Sequence, residues 1–272
     1  MNPKQNQPHL TPASLVGRRF ARDTFKGIRV ALAGYCPRPE VIDKYHPQNQ
    51  AEQYFIHVPP ANVQVCAHNG AAFLSISRIY GGPVSSALIE ELAYYRIEYV
   101  LAYGLAGGLG TKRLRMGDYY LVEKALAMDG TTPHYTGAKL IASDELLNAR
   151  ILQLAPKANL PIMTPVQALT GDAIYREYDQ DLIAARGEGC DIVNCDSSHL
   201  FAVSQAVGIH STECGVLSDV AQSQGEEWQS TLSVMLSANA AAPGPMQSVG
   251  KIVEFYVEVL IPELMLAENW RK

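Results

Sequence analysis

The chain has 272 residues, 47% of them hydrophobic, and a formal net charge of −5, which suits one large α/β domain; no composition shift or Pro/Ser-rich linker divides it. An acidic balance without a basic cluster argues against a nucleic-acid backbone as partner, and no apolar run reaches the ~18 residues of a membrane span. The first 20 residues carry no apolar signal core, so a cytoplasmic location is expected, and five scattered cysteines without a C-x-x-C pair indicate neither a disulfide framework nor a metal site.

Residues 1–26 are polar and read as a loose arm or short helix ahead of a domain at 27–272. The apolar run at 28–34 ends in glycine, the mark of a fully buried strand. Pro39 to Tyr45 suits a short helix with proline at its start. Residues 62–68 and 71–80 are β-rich and joined by Asn69-Gly70, a hairpin signal. Ser85 or Ser86 can cap a helix in which Leu88, Ile89, Leu92 and Tyr95 recur at helical spacing. Tyr99 to Tyr103 is a buried run that breaks into glycines at 104, 107, 108 and 110, and a second run, Asp118 to Val122, follows. This stretch reads as strand, backbone-exposing loop, strand, and loops after strands are where α/β ligands sit. Residues 144–154 form an amphipathic helix, 165–172 a strand, and 178–189 a helix closed by Gly187. A short buried strand at 190–196, a helix at 197–208 ended by Gly208, and a strand at 209–221 come next. Amphipathic helices at 225–238 and 246–268 complete the chain. Strands alternating with helices imply a mostly parallel or mixed central sheet with helices on both faces.

Candidate chemistry collects at the strand ends. Gly34 and Arg38 follow the first strand. Gly81, Gly82, Ser85 and Ser86 stand at a helix start, whose free N–H groups can hold an anion or a polar ligand. Asp172 with Tyr175, Asp196 and Asp219 each follow a later strand. Carboxylates converging on one mouth suit a neutral polyol, because they accept hydrogen bonds from hydroxyls. A carboxylic acid near a base nitrogen can donate a proton as a leaving group departs. Taken singly, such aspartates are more often caps or turn formers. Lys112, Arg113 and Arg115 read as a solvated loop and His199 as a packed helix residue, and no Ser/His/Asp order stands out.

Six stretches carry a further likeness: IYGGPVSSALIEEL at 79–92, GLAGGLGTKRLRMGD at 104–118, DGTTPHY at 129–135, TGDAIY at 170–175, VNCDSSHLFAV at 193–203 and GVLSDVA at 215–221. In this order they resemble the nucleoside phosphorylase family, the branch containing uridine phosphorylase, hexameric purine nucleoside phosphorylase and the methylthioadenosine nucleosidases. The resemblance runs from about residue 28 to 265. It implies a single α/β domain with a central mixed, partly barrel-like β-sheet flanked by helices on both faces. It also implies a small-molecule nucleoside as substrate, no metal, no cofactor beyond inorganic phosphate as a co-substrate, and a homo-oligomer of at least a dimer.

The resemblance implies roles residue by residue. Asp219 falls on the general acid that protonates a purine, next to Ser218. Asp196 falls on the glutamate that holds the ribose hydroxyls, and Cys195 on the methionine beneath the sugar. Ile174 and Tyr175 fall on the aromatic pair near the base. Gly34, Arg38, Gly104 and Leu105 fall on the phosphate site, where Ala102 replaces the family's arginine and Leu105 its hydroxyl residue. Tyr178 and Gln180 stand where uridine phosphorylases carry their pyrimidine-reading pair. The expected activity is therefore cleavage of the N-glycosidic bond of a nucleoside, purine favoured, to free base and sugar or sugar 1-phosphate. A hydrolytic nucleosidase and a non-catalytic nucleoside-binding homologue are the alternatives.

Overall fold

The computed structural model describes residues 8–111, 113–220, 229–230 and 244–266. A single turn, α1 (Pro12–Leu15), is held by a capping box between Thr11 and Ser14. Val16 and Phe25 then pack into the core, Phe25 edge-on against Tyr95.

Strand β1 (Val30–Gly34) is buried at every position. Ala31 and Ala33 share a core with Leu88, Ile89 and Leu200, while Val30 and Leu32 share another with Ile151, Val249 and Ile252. The two-residue period of a strand thus divides one continuous apolar run between two covered faces. A 3-10 turn over Glu40–Tyr45 follows Pro39. Next come β2 (Gln48–Asn49), β3 (Val63–His68) and β4 (Ala71–Ile76). Asn69 and Gly70 both take positive φ, 48° and 82°, as a two-residue hairpin turn requires. The strand expected to reach residue 80 stops at Ile76, because Arg78 turns into the left-handed region and leads the chain out of the sheet.

Helix α2 (Gly82–Tyr94) starts after Gly81 at φ 78°, with no side-chain cap. The expected serine caps lie inside the helix instead: Ser85 is buried against the Tyr35 hydroxyl, and Ser86 bonds the Pro83 carbonyl. Strand β5 (Tyr99–Gly108) corrects the largest expectation. The glycines do not break the strand; Gly104, Gly107 and Gly108 pair in register with Gly215, Asp219 and Val220 of β10 (His210–Val220). Of the four glycines, Gly110 alone, at φ 70°, lies in the turn. Glycine inside a strand marks close approach. A Cβ on Gly215 would stand 2.2 Å from the Tyr120 hydroxyl and 2.6 Å from the Gly104 carbonyl oxygen.

The remaining elements are β6 (Tyr119–Ala127), β7 (Leu140–Ala142), α3 (Glu145–Leu154), β8 (Met163–Thr170), α4 (Asp179–Gly187), β9 (Ile192–Asn194), α5 (Ser197–Val207) and β11 (Gln229–Ser230). Asp144 caps α3 through the Leu147 amide, 2.9 Å away. The glycine that turns the chain after α4 is Gly189, at φ 90°, rather than Gly187, which is still helical. Gly208 ends α5 at φ 77°, as expected. The helix expected at 225–238 lies outside the described residues. The C-terminal helix runs as α6 (Pro245–Phe255), a π-turn (Tyr256–Leu260) and α7 (Ile261–Leu266).

Strands β5, β10, β6, β8 and β9 close into a ring, β9 returning antiparallel to β5. From β5 the sheet continues through β1 and β4, both in parallel pairings, to β3 and β2. The sheet is therefore mixed and barrel-like. Helices α2 and α5 pack together on one face, and α3 and α6 cover the other. The end of β8 and the chain leading from it into α4 open onto a mouth at the edge of the barrel.

Candidate active site

The turn from β9 into α5 organises the site. Asn194 Oδ1 accepts from Thr170 Oγ1 at 3.1 Å and from the Asp196 amide at 3.3 Å. Its Nδ2 donates to Ser197 Oγ at 2.6 Å and to Glu213 Oε1 at 3.0 Å. Ser197 Oγ donates to Glu213 Oε2 at 2.7 Å. Glu213 is thus a fully buried carboxyl with a donor on each oxygen. Asp196 lies beside it, 5% exposed, and its carboxyl takes no hydrogen bond from a described residue. Burial pushes both carboxyls up from the ordinary range; the neighbouring Glu213 adds to the rise at Asp196, and the Ser197 and Asn194 donors oppose it at Glu213.

A second loop is fastened alongside. Asp129 Oδ1 accepts the amides of Thr131 and Thr132 at 2.8 and 2.7 Å, and its Oδ2 accepts from Ser198 Oγ at 2.5 Å. Burial raises the Asp129 carboxyl, but these donors outweigh it and hold the group below its usual range. Asp172 takes the Gly130 amide at 2.7 Å and so ties this loop to the end of β8. Gly82 belongs to the same contact, since a Cβ there would meet Thr131 Oγ1 at 2.0 Å.

Carboxylates ring the mouth. The Cys195 thiol is pushed up to about 12 by burial, then by the charges of Asp196, Glu177 and Asp172. Glu177 is itself raised by burial and by Asp219. A cleft of about 200 Å³ opens here, walled by Met128, Leu169 and Val193 and edged by Asp172, Arg176 and Glu177. Ser218 Oγ donates to Asp219 Oδ1 at 2.7 Å, and the β10 register slips between Leu217 and Asp219, leaving Ser218 as the extra residue of a bulge.

These positions do not share one face of β5. The bare face of Gly104 looks onto Tyr35, Asp196 and Glu213, whereas that of Gly107 looks onto Asp219 and Val193. Three residues apart on a strand, the two point to opposite sides. Asp219 therefore lies on the side of Val193 and Glu177, which wall the cleft, whereas Asp196 lies on the other side with Glu213. Ile174 and Tyr175 stand at the rim, Tyr175 91% exposed.

Among the expected phosphate positions, Gly34 pairs with Tyr103, next to Gly104. Ala102 is fully buried, its carbonyl accepting from Tyr256 Oη at 3.0 Å. Leu105 packs with the core beneath α6, on the face opposite Gly104. Arg38 pairs with Asp43 at 2.7 Å. Gly34 covers the buried Tyr103 hydroxyl, 2.6 Å from where a Cβ would lie. His199 is packed, bonding the Cys195 carbonyl at 2.8 Å, and Arg113 pairs with Asp191. Sequence reasoning passed over Glu213, Asn194, Ser197, Asp129 and Glu177. Glu213 had a signal, a carboxylate in the middle of a buried strand beside Cys214, Val216 and Leu217. Among the described residues no cluster of His, Cys, Asp or Glu has the makings of a metal site, and no helix is long and apolar enough to cross a membrane.

The fold is shared with solved structures. Purine nucleoside phosphorylase from Toxoplasma gondii, in complex with immucillin-H, superposes with a TM-score of 0.69 at 18% identity, over 90% of this chain and 95% of that one. Uridine phosphorylase from Vibrio fischeri ES114 gives 0.69 at 14% identity, over 94% and 100%. A futalosine hydrolase mutant from Helicobacter pylori strain 26695 gives 0.63 at 13% identity, over 87% and 99%. Uncharacterized protein R802 of Acanthamoeba polyphaga mimivirus is 30% identical over 234 residues, 85% of this chain and 91% of that protein. The sequence model of the phosphorylase superfamily matches residues 81–253. The chain belongs to the phosphorylase superfamily.

Proposed function

We propose that this protein cleaves the N-glycosidic bond of a nucleoside, a purine favoured, and releases the free base. The observation that carries the reading is the convergence of Asp172, Glu177 and Asp196 around Cys195, beside an apolar-walled cleft whose Val193 and Glu177 adjoin Asp219. Hydroxyls of a sugar find hydrogen-bonding partners at such carboxyls, and a flat base fits a small apolar slot. In this reading the base lies against Leu169 and Val193, with Ile174, Tyr175 and Ser218 at its edge. The sugar lies over Cys195 toward Asp196. Asp219 gives a proton to the purine as the bond breaks, so the base leaves neutral while the sugar becomes oxocarbenium-like; general acid help of this kind contributes roughly 10²–10⁴-fold.

Water is the acceptor in this proposal. An anion needs a cation or converging donors. Ala102 and Leu105 offer neither, Arg38 is engaged by Asp43, and the acidic Asp196–Glu213 pair stands beside Gly104. The test is a panel of purine and pyrimidine nucleosides incubated with and without inorganic phosphate, free base being followed by chromatography. Equal release in both conditions is expected. Release that requires phosphate overturns the hydrolytic assignment and restores phosphorolysis. No release from any nucleoside, alongside measurable binding, overturns the enzyme and leaves a nucleoside-binding homologue.

A further inference from the structure

Glu213 has no part in the cleavage chemistry above, yet the fold spends two side-chain donors on it. Asn194 Nδ2 and Ser197 Oγ each hold one of its oxygens, whereas the carboxyl of Asp196 receives nothing from a described residue. One oxygen of each acid comes to 3.8 and 3.9 Å from the point where a Cβ on Gly104 would lie, so the two acids converge on the same bare patch of backbone. The titratable groups facing Asp196 are Tyr35 and Cys36 beyond β1, Tyr80 ahead of α2, Tyr120 on β6 and Cys195. Glu213 is faced by Tyr35 and Tyr120 as well, and Cys214 and Tyr256 lie within electrostatic reach of it from the other face of β10. All of these are neutral acids, and no cation among the described residues faces the pair. Two like charges in a closed interior without a counter-ion do not both ionise. The single proton goes to the partner whose carboxyl no hydrogen-bond donor holds.

We propose that Glu213 is a positioning residue that carries the charge of the pair and leaves Asp196 as a neutral carboxylic acid donating a hydrogen bond to the sugar. An ionised carboxylate only accepts; a carboxylic acid also donates. The site therefore recognises a lone pair on the sugar, at its ring oxygen or a hydroxyl oxygen. The short side chain of Asp196, in place of the family's longer glutamate, keeps this acid inside the fold next to Glu213. The donor role rests on the proposed nucleoside chemistry; the protonation of the pair does not.

The experiment uses the full-length protein with ¹³C-labelled aspartate carboxyls, titrated by infrared or NMR spectroscopy from pH 5 to 9 without ligand. One aspartate is expected to remain protonated at pH 7, and to vanish from the spectrum of Asp196→Asn. In Glu213→Gln the same signal should titrate about one pH unit lower or more, a tenfold loss of proton affinity, and Glu213→Asp should restore it. Aspartates all ionised at pH 7 in the wild type overturn the proposal, with no variant needed. So does a Glu213→Gln protein whose Asp196 titrates unchanged. A second arm measures the affinity of a purine nucleoside by calorimetry across the same range. Affinity that falls as Asp196 ionises supports the donor role, and affinity indifferent to it overturns that role. A protonated Asp196 in a protein that binds no nucleoside overturns the proposed function and the sugar contact together, while the charge assignment stands.

Discussion

Glu91→Gln should stabilise the protein at pH 8 and do so far less at pH 5. Glu91 is 4% exposed on α2, and both of its oxygens lie within reach of the Ile56 amide, at 3.1 and 3.2 Å. Burial pushes its carboxyl from an ordinary 4.5 to about 7; the Ile56 amide opposes the rise and Glu90 adds to it. A carboxyl raised on folding binds its proton more tightly in the native state. Its contribution is therefore most favourable below about 4.5, and declines as pH rises through 7. Above pH 7 the ionised group costs about 3 kcal/mol, from a shift of roughly 2.5 pH units at about 1.36 kcal/mol each. Glutamine keeps an acceptor for Ile56 and removes the charge, but leaves an amide donor that wants a partner, worth about 1–2 kcal/mol. The expected net gain at pH 8 is about 1–2 kcal/mol, or a Tm higher by about 3–6 °C for a chain of this size. Thermal and urea unfolding at pH 5 and pH 8 provide the assay. A variant less stable than wild type at pH 8, or a gain equal at both values, refutes the reasoning.

Three further outcomes are expected. Asp219→Asn should lower kcat for nucleoside cleavage by about 10²-fold or more with little change in KM; an unaltered kcat removes Asp219 from the acid role. Gly215→Ala should cost about 1–3 kcal/mol, because the Cβ would meet the Gly104 carbonyl oxygen as well as the Tyr120 hydroxyl and backbone gives way little; urea midpoints measure this. Asp129→Ala frees the Thr131 and Thr132 amides and the Ser198 hydroxyl, for about 2 kcal/mol. Since the Asp129 carboxyl is held below its usual range on balance, that deficit should be full near neutrality and shrink as pH falls through the carboxylate range, as followed by denaturation at successive pH values.

The periodicity of the chain carried the layers of the fold. The run at 28–34 and the Asn69-Gly70 turn behave as their residue types demand, because local sterics and two-sided burial leave few options. The glycines at 104–108 misled for a physical reason. Glycine also serves strands that press backbone against backbone, and that need arises from β10, more than 100 residues away in sequence. Ser85 looked like a cap because its partner, the Tyr35 hydroxyl, comes from another element. Asp196 and Cys195 were singled out through their place in a motif. The company they keep was not, since Glu213 and Glu177 converge on them only through tertiary structure.

The bulge at Ser218 bears on how this chain tolerates changes of length. Glu213 and Asp219 are six positions apart, an even number, so an uninterrupted strand would turn both to the same side. The extra residue alters the count and sends Asp219 toward Val193 instead of the barrel interior. Removing a single residue here would swing a third acid into the largely buried space that already holds two. Exchanging Ser218 for another small residue leaves the count intact. At this point in β10 the number of residues is a stricter requirement than their identity, and a frame-preserving deletion is a harsher lesion than a substitution.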